Sequence, residues 1–179
     1  MTFDQVEAFN RKQLDQITKR YFFVPHPVRL TVDDSPAKNV ELSHHPSGNL
    51  GTRILHTGQV FYVPQQDAHA LQKGDIFRLK DLYNVKVMET GSELAATFAG
   101  TELLPDTRKV QWVTEDHGEL DVLIPGPLYI AETFNPDSLQ VVTGYTEPAV
   151  QVLIEDDIVQ FERFGFVRFD NGQAILAHK

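Results

Sequence analysis

The alternation of apolar and polar positions changes character near residue 20. Before that point Phe3, Val6, Phe9, Leu14 and Ile17 keep an approximately helical period. Thr2 is placed to cap such a helix with Gln5 three residues on, and Lys19 and Arg20 close it favourably against its dipole. The spacing predicts a helical segment over 1–19. Beyond Pro25 and Pro27 the chain becomes short runs rich in Val, Ile, Phe and Tyr, broken by Gly, Asn, Asp and Pro. The runs read as strands are "VRLTV", "TRILHTG", "QVFYVP", "DIFRLKDLYNVKVME", "ELAATFAG", "KVQWVTE", "LDVLIP", "LQVVTGY" and "DIVQFERFGFVRFD". With no second helical period between them, they predict an all-β fold of closed barrels rather than a parallel sheet. The polar "PSGNLG" and the proline-rich "IPGPLYIAETFNPDS" are the expected places for the chain to bend from one unit into another.

The last of these runs reads as a hairpin. "IVQFE" and "FVRFD" are both β-prone, and Gly165 between them supplies the permissive backbone of a turn or bulge. Alternation then puts Val159 and Phe161 on one face, Gln160 and Glu162 on the other, and Arg163 at the turn. From pattern alone, Glu162 and Arg163 are a surface ion pair worth about 0–1 kcal/mol.

Composition narrows the chemistry. The 179 residues, 41% hydrophobic and 23% charged, are enough for one domain or two small barrels with a core. Cysteine is absent, which excludes disulfides, thiolate zinc sites and a thiol nucleophile, and suits a reducing, cytoplasmic setting. No stretch approaches the roughly 18 apolar residues of a membrane-spanning helix. The histidine doublet His44–His45 cannot chelate one ion from a regular strand, because neighbours point to opposite faces. Asp67 with His69 and the pair Asp156–Asp157 read as loop and turn residues. No phosphate loop, nucleophile elbow or triad context is present, so catalysis has no anchor in the sequence.

A net charge of -9 argues on its own against a polyanion partner. The positions of the basic residues carry more information than their sum. In "FRLKDLYNVKV", Arg78 and Lys80 stand two apart and so share a strand face, with Lys86 nearby. Arg20, Arg29, Arg53, Arg163 and Arg168 could converge with them if the barrels bring their segments together.

Several segments in order carry a resemblance: "AFNRKQLDQITKRYFFVPHPVRL", "HHPSGNLGTR", "KGDIFRLKDLYNVKV", "VQWV", "NPDSL", "GYTEP" and "IVQFERFGFVRFD". Together they make the chain similar to the C-terminal anticodon-binding region of archaeal-type glutamyl-tRNA synthetases and their glutaminyl relatives. The glutamyl side is the closer one, since "LDVLIPGPLYIAETF" lacks the Tyr-Asp-Arg-Leu-Phe run of glutaminyl enzymes. The resemblance implies two antiparallel β-barrels gripping the anticodon loop of glutamate tRNA. A helical linker over 1–19 would precede a module over 20–179, its halves roughly 20–118 and 119–179 with strands free to cross between them.

The resemblance also implies roles for particular residues. Arg20, Gln160 and Arg163 match residues that share the middle anticodon base, a uracil. Arg78 and Lys80 match a basic pair at the first base, and Glu162 is expected to orient a neighbouring arginine. Where glutaminyl enzymes carry Lys-Arg for the third base, this chain has His69 and Ala70, which fits glutamate tRNA and makes His69 a supporting candidate alongside Arg53. HIGH-like and KMSKS-like motifs do not occur in the sequence. The chain alone is therefore expected to need no cofactor, while ATP and Mg serve a catalytic domain that would partner it in cis or in trans. The alternative is a free-standing β-barrel that docks on a synthetase complex or a split catalytic half.

Overall fold

The structure is a computed structural model that describes residues 12–178. Of the expected N-terminal helix it shows residues 12–17 (α1), whereas Thr2, Phe3, Gln5, Val6 and Phe9 lie outside the described residues. Eighteen strands follow. In chain order they are β1 Arg20–Tyr21, β2 Phe23–Pro25, β3 Pro27–Asp33, β4 Lys38–Ser43, β5 Thr52–Thr57, β6 Val60–Pro64, β7 Ile76–Leu79, β8 Asn84–Glu89 and β9 Leu94–Phe98. The remainder are β10 Lys109–Val110, β11 Val113–Thr114, β12 Gly118–Pro125, β13 Tyr129–Ile130, β14 Thr133–Phe134, β15 Leu139–Thr146, β16 Ile158–Phe161, β17 Gly165–Asp170 and β18 Gln173–His178. One short helix, α2 Gln65–His69, interrupts them after Pro64, and a 3-10 turn covers Pro148–Val152.

The expected all-β architecture of two barrel-like bodies is what the chain forms. One seven-stranded sheet runs β10-β7-β8-β9-β3-β6-β11 and the other β1-β16-β17-β18-β12-β15-β2. Each encloses its own core, the first around Phe61, Phe77, Tyr83 and Trp112, the second around Phe23, Val122, Phe161 and Val167. The run "DIFRLKDLYNVKVME" is a hairpin of two strands, β7 and β8, because Asp81 takes a left-handed conformation (φ 59°) and turns the chain between them.

The segment "YFFV" ties the two bodies together. Tyr21 and Phe23 enter the second core while Phe22 and Val24 enter the first. Successive side chains of an extended segment point opposite ways, and here both directions lead into an interior. This explains an unbroken apolar run where one-sided burial would demand alternation. Phe23 stacks on Phe161 with centroids 5.0 Å apart, and Phe22 meets Trp112 edge-on at 5.7 Å. Crossing between bodies occurs at His26 (φ 46°), between β2 and β3, and over residues 115–117 between β11 and β12. The two bends expected from composition are instead hairpin ends: "PSGNLG" caps β4–β5, and the proline-rich segment carries the β13–β14 ribbon beyond β12 and β15. Turn chemistry marks a reversal of the chain, and nothing local distinguishes a hairpin tip from a crossing.

The hairpin near the C-terminus forms as expected, although Glu162 joins the turn and Gly165 opens β17. Val159 faces Val167 and Gln160 faces Phe166, with Glu162, Arg163 and Phe164 as the turn. Gly165 has no alternative there, since a Cβ would stand 2.5 Å from the His178 carbonyl oxygen on β18.

Candidate nucleic-acid interface

Arg20 and Gln160 are brought together by backbone geometry. Strand β1 lies parallel to β16 with Arg20 and Gln160 as direct partners, and the Gln160 N–H donates to the Lys19 carbonyl at 2.9 Å. Partners in a pleated sheet send their side chains to the same face, so the two polar groups stand side by side. Arg20 Nη2 donates to Asp15 Oδ1 at 2.8 Å, fixing the guanidinium to the end of α1. Its Nε and the Gln160 Oε1 are both buried without a hydrogen-bond partner among the described residues. Such atoms are costly to leave unsatisfied, by about 1–3 kcal/mol each.

Arg20 opens into a cleft of about 400 Å³ between the bodies, lined also by Glu41, His45, Lys80, Asp81 and Glu162. Lys80 falls just beyond β7, in the turn that Asp81 creates, and Trp112 Nε1 donates to its carbonyl at 2.9 Å. Its ammonium sits 2.8 Å from both Asp81 Oδ2 and Glu162 Oε2, and 5.3 Å from the Phe22 ring centroid. Burial works to lower the Lys80 pKa, but the bonds to Asp81 and Glu162 outweigh it and the net shift is upward, so the cation is permanent at neutral pH. Glu162 thus pairs with a lysine rather than with an arginine, because the turn directs its carboxylate toward β7.

Arg78 and Lys80 have separate partners within the protein. The Arg78 guanidinium bonds Asn84 Oδ1 at 3.1 Å, the Thr101 carbonyl at 3.2 Å and the Leu82 carbonyl at 3.2 Å, bracing the turn that presents Lys80. Two-residue spacing gave them one face, but Lys80 has left the strand.

Arg163 lies on the far side of Glu162, which borders both the cleft and a smaller recess of about 70 Å³. There its Nη1 donates to Asp67 Oδ2 at 3.2 Å and to the Lys109 carbonyl at 3.1 Å. His69 is exposed in the last turn of α2, two residues beyond that carboxylate. Gln111 Nε2 donates to the Glu162 carbonyl, so the adjacent residues Gln111 and Trp112 hold the two turns that carry Glu162 and Lys80.

Arg53 does not reach the cleft. Its side chain is 4% exposed and meets Glu147, 0% exposed, in a two-pronged ion pair with Nε–Oε2 at 2.7 Å and Nη2–Oε1 at 2.9 Å. Glu147 Oε1 also accepts the Phe22 N–H at 2.6 Å, while Arg53 Nη1 donates to the Ser43 carbonyl at 2.5 Å. The pair fastens the β4–β5 hairpin to the second body beneath Arg20. Beside it His44 packs edge-on against Tyr21 at 4.9 Å, and burial, helped by the Arg53 and Lys19 charges, lowers its pKa to about 4. His45 turns the other way, its Nδ1 accepting from the Ser47 N–H at 3.1 Å and its Nε2 donating to the Asp15 carbonyl at 2.7 Å.

The roles of Asp67, Gln111 and Glu147 emerge only from the structure. A short polar loop, a strand glutamine and a pre-proline glutamate carry no motif, and their partners lie far away in sequence.

Paired barrel-like bodies meeting over a polar cleft define the class, an all-β binding module. Two family profiles, both described as the anti-codon binding domain of class I (E and Q) tRNA synthetases, match residues 18–99 and 109–170. The chain belongs to this anticodon-binding family. It is 37% identical over 179 residues to a glutamate-tRNA ligase of Nitrosopumilus maritimus, covering 99% of this chain and 32% of that protein. It is also 37% identical over 191 residues to one from Pyrococcus abyssi, covering 100% of this chain and 32% of that protein. A third, from Methanococcoides burtonii, is 35% identical over 176 residues, 96% of this chain and 28% of the relative. The chain spans about a third of the length of the curated relatives it matches.

Proposed function

We propose that the chain reads the anticodon loop of a glutamate tRNA, as the recognition part of a glutamyl-tRNA synthetase whose catalytic domain acts in cis or in trans. The carrying observation is the buried, unpartnered pair of Arg20 Nε and Gln160 Oε1. A donor and an acceptor side by side complement the edge of uracil, which offers a carbonyl acceptor next to its N3–H donor. Unstacked loop bases expose those edges, and a side-chain movement that uncovers the two atoms toward the cleft would let bonds to the base satisfy both. Lys80 supplies a cation for the neighbouring first base or its phosphate, with Arg78 as the brace of its turn. The carboxylates of Glu41, Asp81 and Glu162 temper the cleft, so non-specific attraction is weak and affinity depends on fitted contacts. The overall charge of -9 is compatible with this because the RNA meets a local surface.

Nuclease footprinting of full-length glutamate tRNA tests the reading. Protection confined to the anticodon loop and adjoining stem is expected, and protection of the acceptor stem alone would contradict it.

A protein contact is supported by a separate surface. Leu128, Tyr129, Ile130 and Phe134 are all exposed on and around the β13–β14 ribbon. Apolar residues clustered in this way mark a docking face, and the rest of a synthetase is the partner this reading assigns. Tyr129→Ser with Phe134→Ser should weaken that association and leave tRNA binding by the chain unchanged.

A further inference from the structure

The turn carrying Arg163 is anchored along its main chain. Gln111 holds the Glu162 carbonyl, the Glu162 N–H donates to the Tyr21 carbonyl at 3.1 Å, and the Phe164 N–H donates to the Phe161 carbonyl at 3.0 Å. What remains free is the Arg163 side chain, a long one with much rotamer entropy to lose. Asp67 removes that freedom. Its carboxylate is 9% exposed, stands on α2 in the other body, and meets Arg163 Nη1 at 3.2 Å with Arg108 as a second cation at 3.7 Å. The Arg163 side chain is nonetheless 54% exposed, and both of its contacts use Nη1, so the rest of the guanidinium fork is open to an incoming base.

From this geometry we infer that Asp67 is a positioning residue for base recognition. It fixes the direction of the Arg163 guanidinium before RNA arrives, without touching RNA itself. An ordering cost met in the free protein is not met again on binding, which sharpens affinity for the base that fits. The inference rests on the reading, implied by the family resemblance, of Arg163 as a residue that contacts the middle anticodon base. It also gives α2 a purpose that its sequence does not announce, since a helix of the first body then sets the aim of a side chain on the second.

The test is a double-mutant cycle on the full chain, with glutamate tRNA and the same tRNA carrying cytosine for the middle uracil. The readout is the ratio of the two dissociation constants for the wild type, Asp67→Asn, Arg163→Ala and the double variant, with thermal melting in parallel. Asp67→Asn is expected to reduce the ratio about fivefold, and to have no further effect once Arg163 is alanine. A merely structural stitch would lower the melting temperature and leave the ratio alone. Simple loss of a negative charge would strengthen both affinities equally. Either result overturns the inference, as does a ratio in the double variant that falls by the product of the single losses. If Asp67→Asn does not fold, Asp67→Glu keeps the charge but moves it by one methylene, and an unchanged ratio there also overturns it. A wild-type ratio of one removes the anticodon reading together with this inference, whereas a wild-type preference untouched at Asp67 removes the inference alone.

Discussion

Arg20 and Gln160 are direct partners on the parallel pair β1–β16, and each holds a buried polar atom with no hydrogen-bond partner among the described residues. A folded chain tolerates such a pair when a ligand completes it. Gln160→Leu removes one orphan while keeping the side chain's approximate volume. Thermal melting should show no loss of stability, and anisotropy titration should show tRNA binding weakened by about 1–2 kcal/mol. A folded Gln160→Leu protein that binds tRNA as well as the wild type would take Gln160 out of the site.

Lys80 is held by two carboxylates, and in the proposed reading its compact ammonium serves as a point charge rather than as a reader of base edges. Lys80→Met should weaken binding to matched and mismatched tRNAs alike and reduce the slope of log affinity against log salt by about 1. Titrations at several salt concentrations provide the check. A selective loss against one first-base identity would instead make Lys80 a base reader.

The Arg53–Glu147 pair is the buried fastening between the β4–β5 hairpin and the second body. Breaking one side leaves an uncompensated charge, so Glu147→Gln and Arg53→Met should each destabilise the chain by about 3–5 kcal/mol. Removing both together, as Arg53→Met with Glu147→Leu, should cost less than either alone. Chemical denaturation measures all three, and a mild effect of Glu147→Gln would refute the fastening role.

His44 gives the fold an acid limit. Its pKa is lowered from 6.5 to about 4 in the folded chain, so the unfolded chain takes up a proton first as pH falls. Stability present above pH 6.5 should therefore decline between about 6.5 and 4. His44→Phe, which retains an aromatic ring against Tyr21, should flatten that decline. Urea denaturation at a series of pH values compares the two proteins, and parallel profiles would exclude His44 as the source.

The features that could be read from the sequence were those set by local pattern. The C-terminal hairpin, the need for glycine at position 165 and most strands follow from alternation and turn chemistry. The all-β class follows from the same signals. The site was legible as a set of segments and not as a set of contacts. Arg163 finds Asp67 across 96 residues and Arg53 finds Glu147 across 94, distances at which no periodicity carries information. Arginine is usually a surface cation, and the burial of Arg53 depends on a glutamate following β15. Likewise "YFFV" declares burial, but its division between two cores becomes visible only when both bodies are in place.

In the proposed function this chain distinguishes the middle anticodon base, a property that a single pair of titrations decides. Dissociation constants are measured at low salt for glutamate tRNA and for the same tRNA with cytosine in place of the middle uracil. A lost base contact of about 1–3 kcal/mol predicts binding at least several-fold tighter to the uracil form. Equal affinity for the two tRNAs would contradict the account.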